Sequence, residues 1–210
     1  MLLQVDHISK AFDSQQVLSN VCFEVQRGEV VGLLGANGAG KTTLLRIITR
    51  LIEPDSGQVL FDGHVLAQED LRHIGYLPEE RGLYRHMKVG EQALYLAQMK
   101  GMSRGDAEIS LHEWFTRLDM SQWWQCQAGK LSKGMQQKLQ FVVTVAHNPS
   151  LVILDEPFSG FDAANAAMLK REIAGLRERG CAVLLSTHNL QAAEELCDKT
   201  IQLEKVNDEC

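Results

Sequence analysis

A chain of 210 residues with 45% hydrophobic side chains is long enough for one sizeable buried core. Its formal net charge of -6 argues against a protein that coats nucleic acid through a basic face. Five scattered cysteines, Cys22, Cys126, Cys181, Cys197 and Cys210, contain no C-x-x-C pair and read as reduced thiols of a cytosol-like compartment.

The N-terminal MLLQVDHISK reaches Asp6 too soon to be a signal peptide, and runs such as LVIL and AVLL fall far short of the roughly 20 residues that cross a bilayer. Short segments rich in Val, Ile and Leu predict strands at LLQVDHI, VLSNVCFEV, VVGLLG, GQVLFDG, HIGYLP, LVILDE, AVLLST and TIQLEK. Helical spacing predicts helices over 41–51, 163–179 and 189–197, the second stopped by Gly180. From about 89 to 147 the strand signals vanish, and VGEQALYLAQMKG, SRGDAEISLHEWFTRLDM and KGMQQKLQFVVTVAH read as helices. A hairpin-like start, strand–helix–strand order in the last third and this helical stretch predict an α/β fold. Its mixed sheet core has an antiparallel portion and an inserted helical lobe. We read 1–210 as a single domain, with a core of about 1–88 and 148–210 and a helical subdomain of about 89–147.

The stretch Gly35-Ala36-Asn37-Gly38-Ala39-Gly40-Lys41-Thr42 fits G-x-x-x-x-G-K-[ST] and sits between the strand VVGLL and a helix. Its glycines let successive N–H groups from Gly35 to Thr43 point inward at an anion, and the helix N-terminus adds its positive end. Lys41 supplies a full charge for the outer phosphates, and the Thr42 hydroxyl can ligate Mg2+. A bland strand-to-helix turn does not require Lys and Thr in those two places. Downstream, LVILDEP is four apolar residues ending in two carboxylates. A buried parallel strand that ends this way sets them at the carboxyl edge of the sheet, where ligands of open α/β folds collect. Asp155 is then placed for the Mg2+ shell and Glu156 for the water that attacks the γ-phosphate.

Many P-loop NTPases share these two features, but Leu131-Ser132-Lys133-Gly134-Met135 resembles the LSGGQ signature of the nucleotide-binding domains of ABC transporters. The resemblance spans essentially the whole chain and implies the ABC-ATPase fold. It places Phe12 at the adenine-stacking position, Glu79 at the Q-loop, where it would touch metal and attacking water, Ser159-Gly160-Phe161-Asp162 at the D-loop and His188 at the switch histidine that bonds the γ-phosphate. It also implies a head-to-tail dimer in which Ser132 and Gly134 face the γ-phosphate held by a second ATPase subunit, closed by ATP and reopened by hydrolysis.

Three residues depart from the pattern. Glu79 stands where glutamine is usual, Lys133 replaces the first signature glycine and Met135 the signature glutamine; Lys133 is read as pointing to solvent. YLPEERGLY and LSKGM resemble the bacterial branch that serves ABC-2-type exporters, with the sodium-exporter (NatA-like) ATPases nearest. The expectation is therefore an ATP-hydrolysing subunit on the cytoplasmic face of the cell membrane. It would be held there by an integral membrane permease near Leu83, Tyr84 and Met87, with no nucleic-acid partner. The competing readings are a soluble ABC-type ATPase acting on ribosomes or DNA, and a nucleotide-gated module with negligible turnover.

Overall fold

The computed structural model describes residues 1–13, 15–80 and 82–206. The reading of Cys210 as a thiol, like Arg81 in YLPEERGLY, lies outside them. Two sheets carry the fold. The first is antiparallel, in the order β2-β1-β4-β5, from β1 (Leu3–Phe12), β2 (Gln15–Val25), β4 (Ser56–Phe61) and the two-residue β5 (His64–Val65). The second is parallel, in the order β6-β7-β8-β3-β9, from β3 (Val30–Leu34), β6 (Ile74–Leu77), β7 (Leu151–Asp155), β8 (Ala182–Thr187) and β9 (Lys199–Gln202). The predicted α/β fold with an antiparallel portion is thus observed. Only β5 escapes the sequence reading, because two residues are too few to show an alternation.

Among the described residues, six α-helices complete the fold: α1 (Lys41–Ile48), α2 (Val89–Met99), α3 (Arg104–Arg117), α4 (Lys133–Val145), α5 (Ala163–Glu178) and α6 (Leu190–Leu196). Their starts follow local chemistry. Ser103, Ser132, Asp162 and Asn189 each accept a hydrogen bond from the backbone three residues on, satisfying an amide that the first helical turn leaves free.

Strands β3, β7 and β8 are buried at every position because both faces of the parallel sheet are covered. Successive side chains alternate between two cores, as the two-residue strand period requires. Val31, Leu33, Ile153 and Leu184 pack with α1 and the antiparallel sheet, while Val30, Val152, Leu154, Val183 and Leu185 pack with Phe115 of α3 and Phe141 of α4. Lys100, just past α2, donates to the carbonyls of Leu71 and Ile74 at 2.8 Å each and so ties the helices of 89–145 to the start of β6. Cys22, Cys126, Cys181 and Cys197 are free thiols. Burial pushes Cys181 up to about 12 and Cys197 up to about 11, which keeps both protonated and inert.

Candidate active site

All five parallel strands end on the same edge, and β8 lies between β3 and β7. The loop after β3 and the acidic end of β7 are therefore brought together across the end of β8. After Leu34 the chain turns through Gly38 at φ 83° and Gly40 at φ 89°, backbone states that glycine adopts without steric cost. Gly40 is further confined by close approach: a Cβ there would stand 2.7 Å from Leu18 Cδ2 and 2.9 Å from the Val17 carbonyl. Among the described residues no side chain caps α1, so its first-turn amides are open to an anion.

Asn37, Gly38, Gly40, Lys41, Thr42 and Thr43 line a groove of about 580 Å³, whose other walls come from Phe12, Val17, Glu79, Glu156, Ser159 and His188. Phe12, at the end of β1, is 45% exposed, an open aromatic face beside the loop. Gly35 and Ala39 lie beneath the loop instead. Ala39 belongs to the core, and its N–H donates to the Ala36 carbonyl at 3.1 Å, so that amide is engaged within the turn.

Lys41 is buried and doubly held. Its Nζ donates to the Gly35 carbonyl at 2.7 Å and to the Ala36 carbonyl at 3.2 Å, and stands 3.7 Å from Glu156 Oε1. The same carboxylate oxygen lies 3.0 Å from Nδ1 of His188, which follows β8. Glu156 itself has φ 48°, a left-handed state unfavourable for a residue with a side chain and doubly so before Pro157. This turn swings its carboxylate off the line of β7 and towards Lys41, a strain of the kind that gathers at functional sites.

Asp155 points elsewhere. It is 1% exposed and lines an adjoining cavity of about 310 Å³, whose walls share Glu79, Glu156 and Ser159 with the groove. Its Oδ1 accepts from the Ser186 hydroxyl at 2.5 Å, while Oδ2 is buried with no partner among the described residues. An orphaned carboxylate oxygen in a cavity that Glu79 also lines, adjoining the groove that Thr42 lines, contributes to a donor set of hard oxygens, which fits Mg2+. Ser186 went unnoticed in the sequence. It also accepts from the Glu156 N–H at 3.0 Å, so one hydroxyl braces both acidic residues.

Comparison with known proteins agrees with this geometry. A profile of the ABC transporter family matches residues 18–159. The chain belongs to that family. An uncharacterized ABC transporter ATP-binding protein of Methanocaldococcus jannaschii is 44% identical over 203 residues, covering 97% of this chain and 74% of that protein. The ABC transporter ATP-binding protein NatA of Bacillus subtilis is 32% identical over 192 residues, with 90% and 78% covered. A solved ATP-binding subunit of an ABC transporter superposes with a TM-score of 0.89 at 35% identity, covering 98% of this chain and 88% of that one. This chain is accordingly an ATP-binding subunit of ABC transporter type, with the ATPase fold of its family.

The ABC signature residues are set apart from the loop that precedes α1. Ser132 caps α4, accepting from the Met135 N–H at 3.4 Å, and neither it nor Gly134 is among the described residues lining the 580 Å³ groove. Lys133 is exposed, yet it lies along the D-loop: a Cβ at Gly160 would stand 2.9 Å from its Nζ. On the far side of Glu79, a larger groove of about 670 Å³ opens between the helices of 89–145 and the parallel sheet. Leu71, Leu83, Leu96, Met99 and Val143 line it, with Lys100 at its wall. Tyr84 and Met99 are exposed nearby, whereas Met87 is half-buried in a turn closed by its N–H to the Tyr84 carbonyl at 3.1 Å.

Proposed function

We propose that this chain is the ATPase engine of an export system, acting as a head-to-tail dimer with a second ATPase subunit on a separate membrane permease. The observation that carries the reading is the convergence of Lys41 and His188 on one oxygen of Glu156, at 3.7 and 3.0 Å, over the amides of the glycine turn. Lys41 is a cation waiting on carbonyls and a carboxylate, and a triphosphate entering the turn offers it stronger partners. Its ammonium then moves from Gly35, Ala36 and Glu156 to the outer phosphates, and Glu156 is released to orient and deprotonate the attacking water. His188, freed from Glu156, donates to the γ-phosphate. Phe12 stacks on the adenine.

Asp155, Thr42 and Glu79 would hold Mg2+, which supplies charge neutralisation at the β- and γ-phosphates. Ser132 and Gly134 do not line the groove of their own subunit, which supports their role across a dimer. The 670 Å³ apolar groove beside Leu83 supports a permease contact there, and the division into a core and a helical subdomain of 89–147 belongs to the same reading. The likeness to NatA supports placement in the sodium-exporter branch and attachment to the cytoplasmic face of a membrane through that partner. No described helix is long and apolar enough to cross a membrane itself.

The test is Glu156→Gln. This variant should bind ATP with magnesium, accumulate as a dimer in scattering or size-exclusion experiments, and lose about two or more orders of magnitude in hydrolysis rate, the scale of general-base removal. Equal turnover in wild type and variant would refute the assignment of Glu156.

A further inference from the structure

A second constellation lies on the antiparallel sheet, away from the nucleotide groove. In β1, Val5 pairs with Phe23 and Ile8 pairs with Val21, so Asp6 and His7 together face the single residue Cys22 of β2. Such a two-against-one bulge re-aims side chains that regular pairing would send to opposite faces. His7 sits at φ 54°, the left-handed state, which histidine tolerates better than most residues. Carboxylate, imidazole and thiol are thereby gathered so that one ligand atom from each lies within 4.8 Å of the other two.

We propose that Asp6, His7 and Cys22 form a binding site for a zinc-class divalent cation. Tetrahedral zinc, with its ligands at 2.0 to 2.3 Å, separates them by about 3.3 to 3.6 Å, so small rotations of three side chains close the cluster around an ion. Asp6 Oδ1 lies 2.6 Å from His7 Nδ1, a hydrogen bond that the ion would replace by drawing the two atoms apart, while Asp6 Oδ2 accepts from Gln58 Nε2 at 3.1 Å, which orients the carboxylate. The backbone N–H of His7 donates to Cys22 Sγ at 3.2 Å, which holds the sulfur beside the imidazole. One sulfur, one nitrogen and one oxygen make a borderline-soft set that suits Zn2+ and disfavours Mg2+ or Ca2+, which take oxygen ligands. His7 and Cys22 are exposed, which opens a path for the ion and leaves a fourth coordination place to water.

Five strand steps of β1 carry the chain from His7 to Phe12, about 16 Å at the strand rise, so zinc bound here does not touch the nucleotide. The proposal therefore stands or falls apart from the assignment of the ATPase site.

The test is titration of the reduced, metal-free full chain with zinc alone against a chromophoric chelator, together with the rate at which iodoacetamide labels Cys22. We expect one equivalent to bind with a dissociation constant on the order of 1 μM or tighter, weaker than closed four-ligand sites because one place is left to water. Zinc should slow labelling of Cys22 at least tenfold, and millimolar Mg2+ should not. Cys22→Ser and His7→Asn, the latter chosen because asparagine accepts the left-handed backbone, should each weaken binding tenfold or more while leaving the circular dichroism spectrum unchanged. No saturable binding, binding left unchanged by Cys22→Ser or His7→Asn, or zinc protection of Cys22 from labelling that survives His7→Asn, would overturn the proposal.

Discussion

Ser186 offers the sharpest test of how the acidic edge is held. Asp155 is almost wholly removed from solvent, and its hydrogen bond from the Ser186 hydroxyl, at 2.5 Å, leaves Oδ2 with no partner among the described residues. Parallel pairing of β7 with β8 sets Asp155 directly opposite Ser186, so no other β8 residue can take over the bond. Ser186→Ala removes one oxygen and adds nothing that must be packed. The Glu156 N–H loses one of its two acceptors and keeps the other, the Ser186 carbonyl at 3.2 Å. The loss is therefore a single charge-assisted hydrogen bond to a buried carboxylate, about 2 kcal/mol. For a chain of this length that corresponds to a fall in melting temperature of roughly 4 to 8 °C. The assay is thermal unfolding without nucleotide, in chelator and again in magnesium. In magnesium the deficit should narrow, because a cation at the Oδ2 side shares the charge that the hydroxyl held. A melting temperature within about 1 °C of wild type in chelator would refute the reasoning, since hydrogen bonds to buried charges are worth more than that.

Two further outcomes follow from the geometry. Lys41→Ala should weaken ATP binding roughly 10- to 100-fold in a fluorescent-nucleotide titration, the scale of losing one or two charge-assisted bonds; affinity within twofold of wild type would show that the glycine turn holds the triphosphate without it. Burial holds His147 well below the usual histidine value of 6.5, at about 4, and neither ring nitrogen has a partner among the described residues. The folded state thus prefers neutral His147. Its contribution is fully present above pH 6.5 and is lost as pH falls towards 4, about 2 kcal/mol of it by pH 5. Urea unfolding at pH 7.5 and pH 5.0 should show that loss in wild type and a correspondingly smaller one in His147→Leu; identical pH dependence in the two proteins would exclude the assignment.

Much of the architecture is visible in the letters because periodicity reports burial directly. Continuous Val, Ile and Leu in VVGLL, LVILD and AVLLST mark strands covered on both faces, and alternation in VLSNVCFEV marks one covered on a single face. The glycine turn was equally legible, because G-x-x-x-x-G-K-T encodes its own backbone and its own charge. Ser186 was not, since a serine at a strand end carries no signal until its neighbour in the sheet is known. The same holds for the pairing of Cys22 with Asp6 and His7, which depends on a bulge in register.

The sequence by itself determined the local pieces of this protein: the longer strands, the helices, the anion-binding turn and the identity of the acidic residues. Each depends on interactions within a few residues, which a linear string records. Only the tertiary structure decided that β8 lies between β3 and β7, that Glu156 turns through φ 48° to meet Lys41 and His188, and that Asp155 is left with one buried oxygen unpaired among the described residues. Those outcomes follow from strand order and packing between segments that lie from 31 residues apart, as Asp155 and Ser186 do, to well over a hundred, and no local pattern contains them.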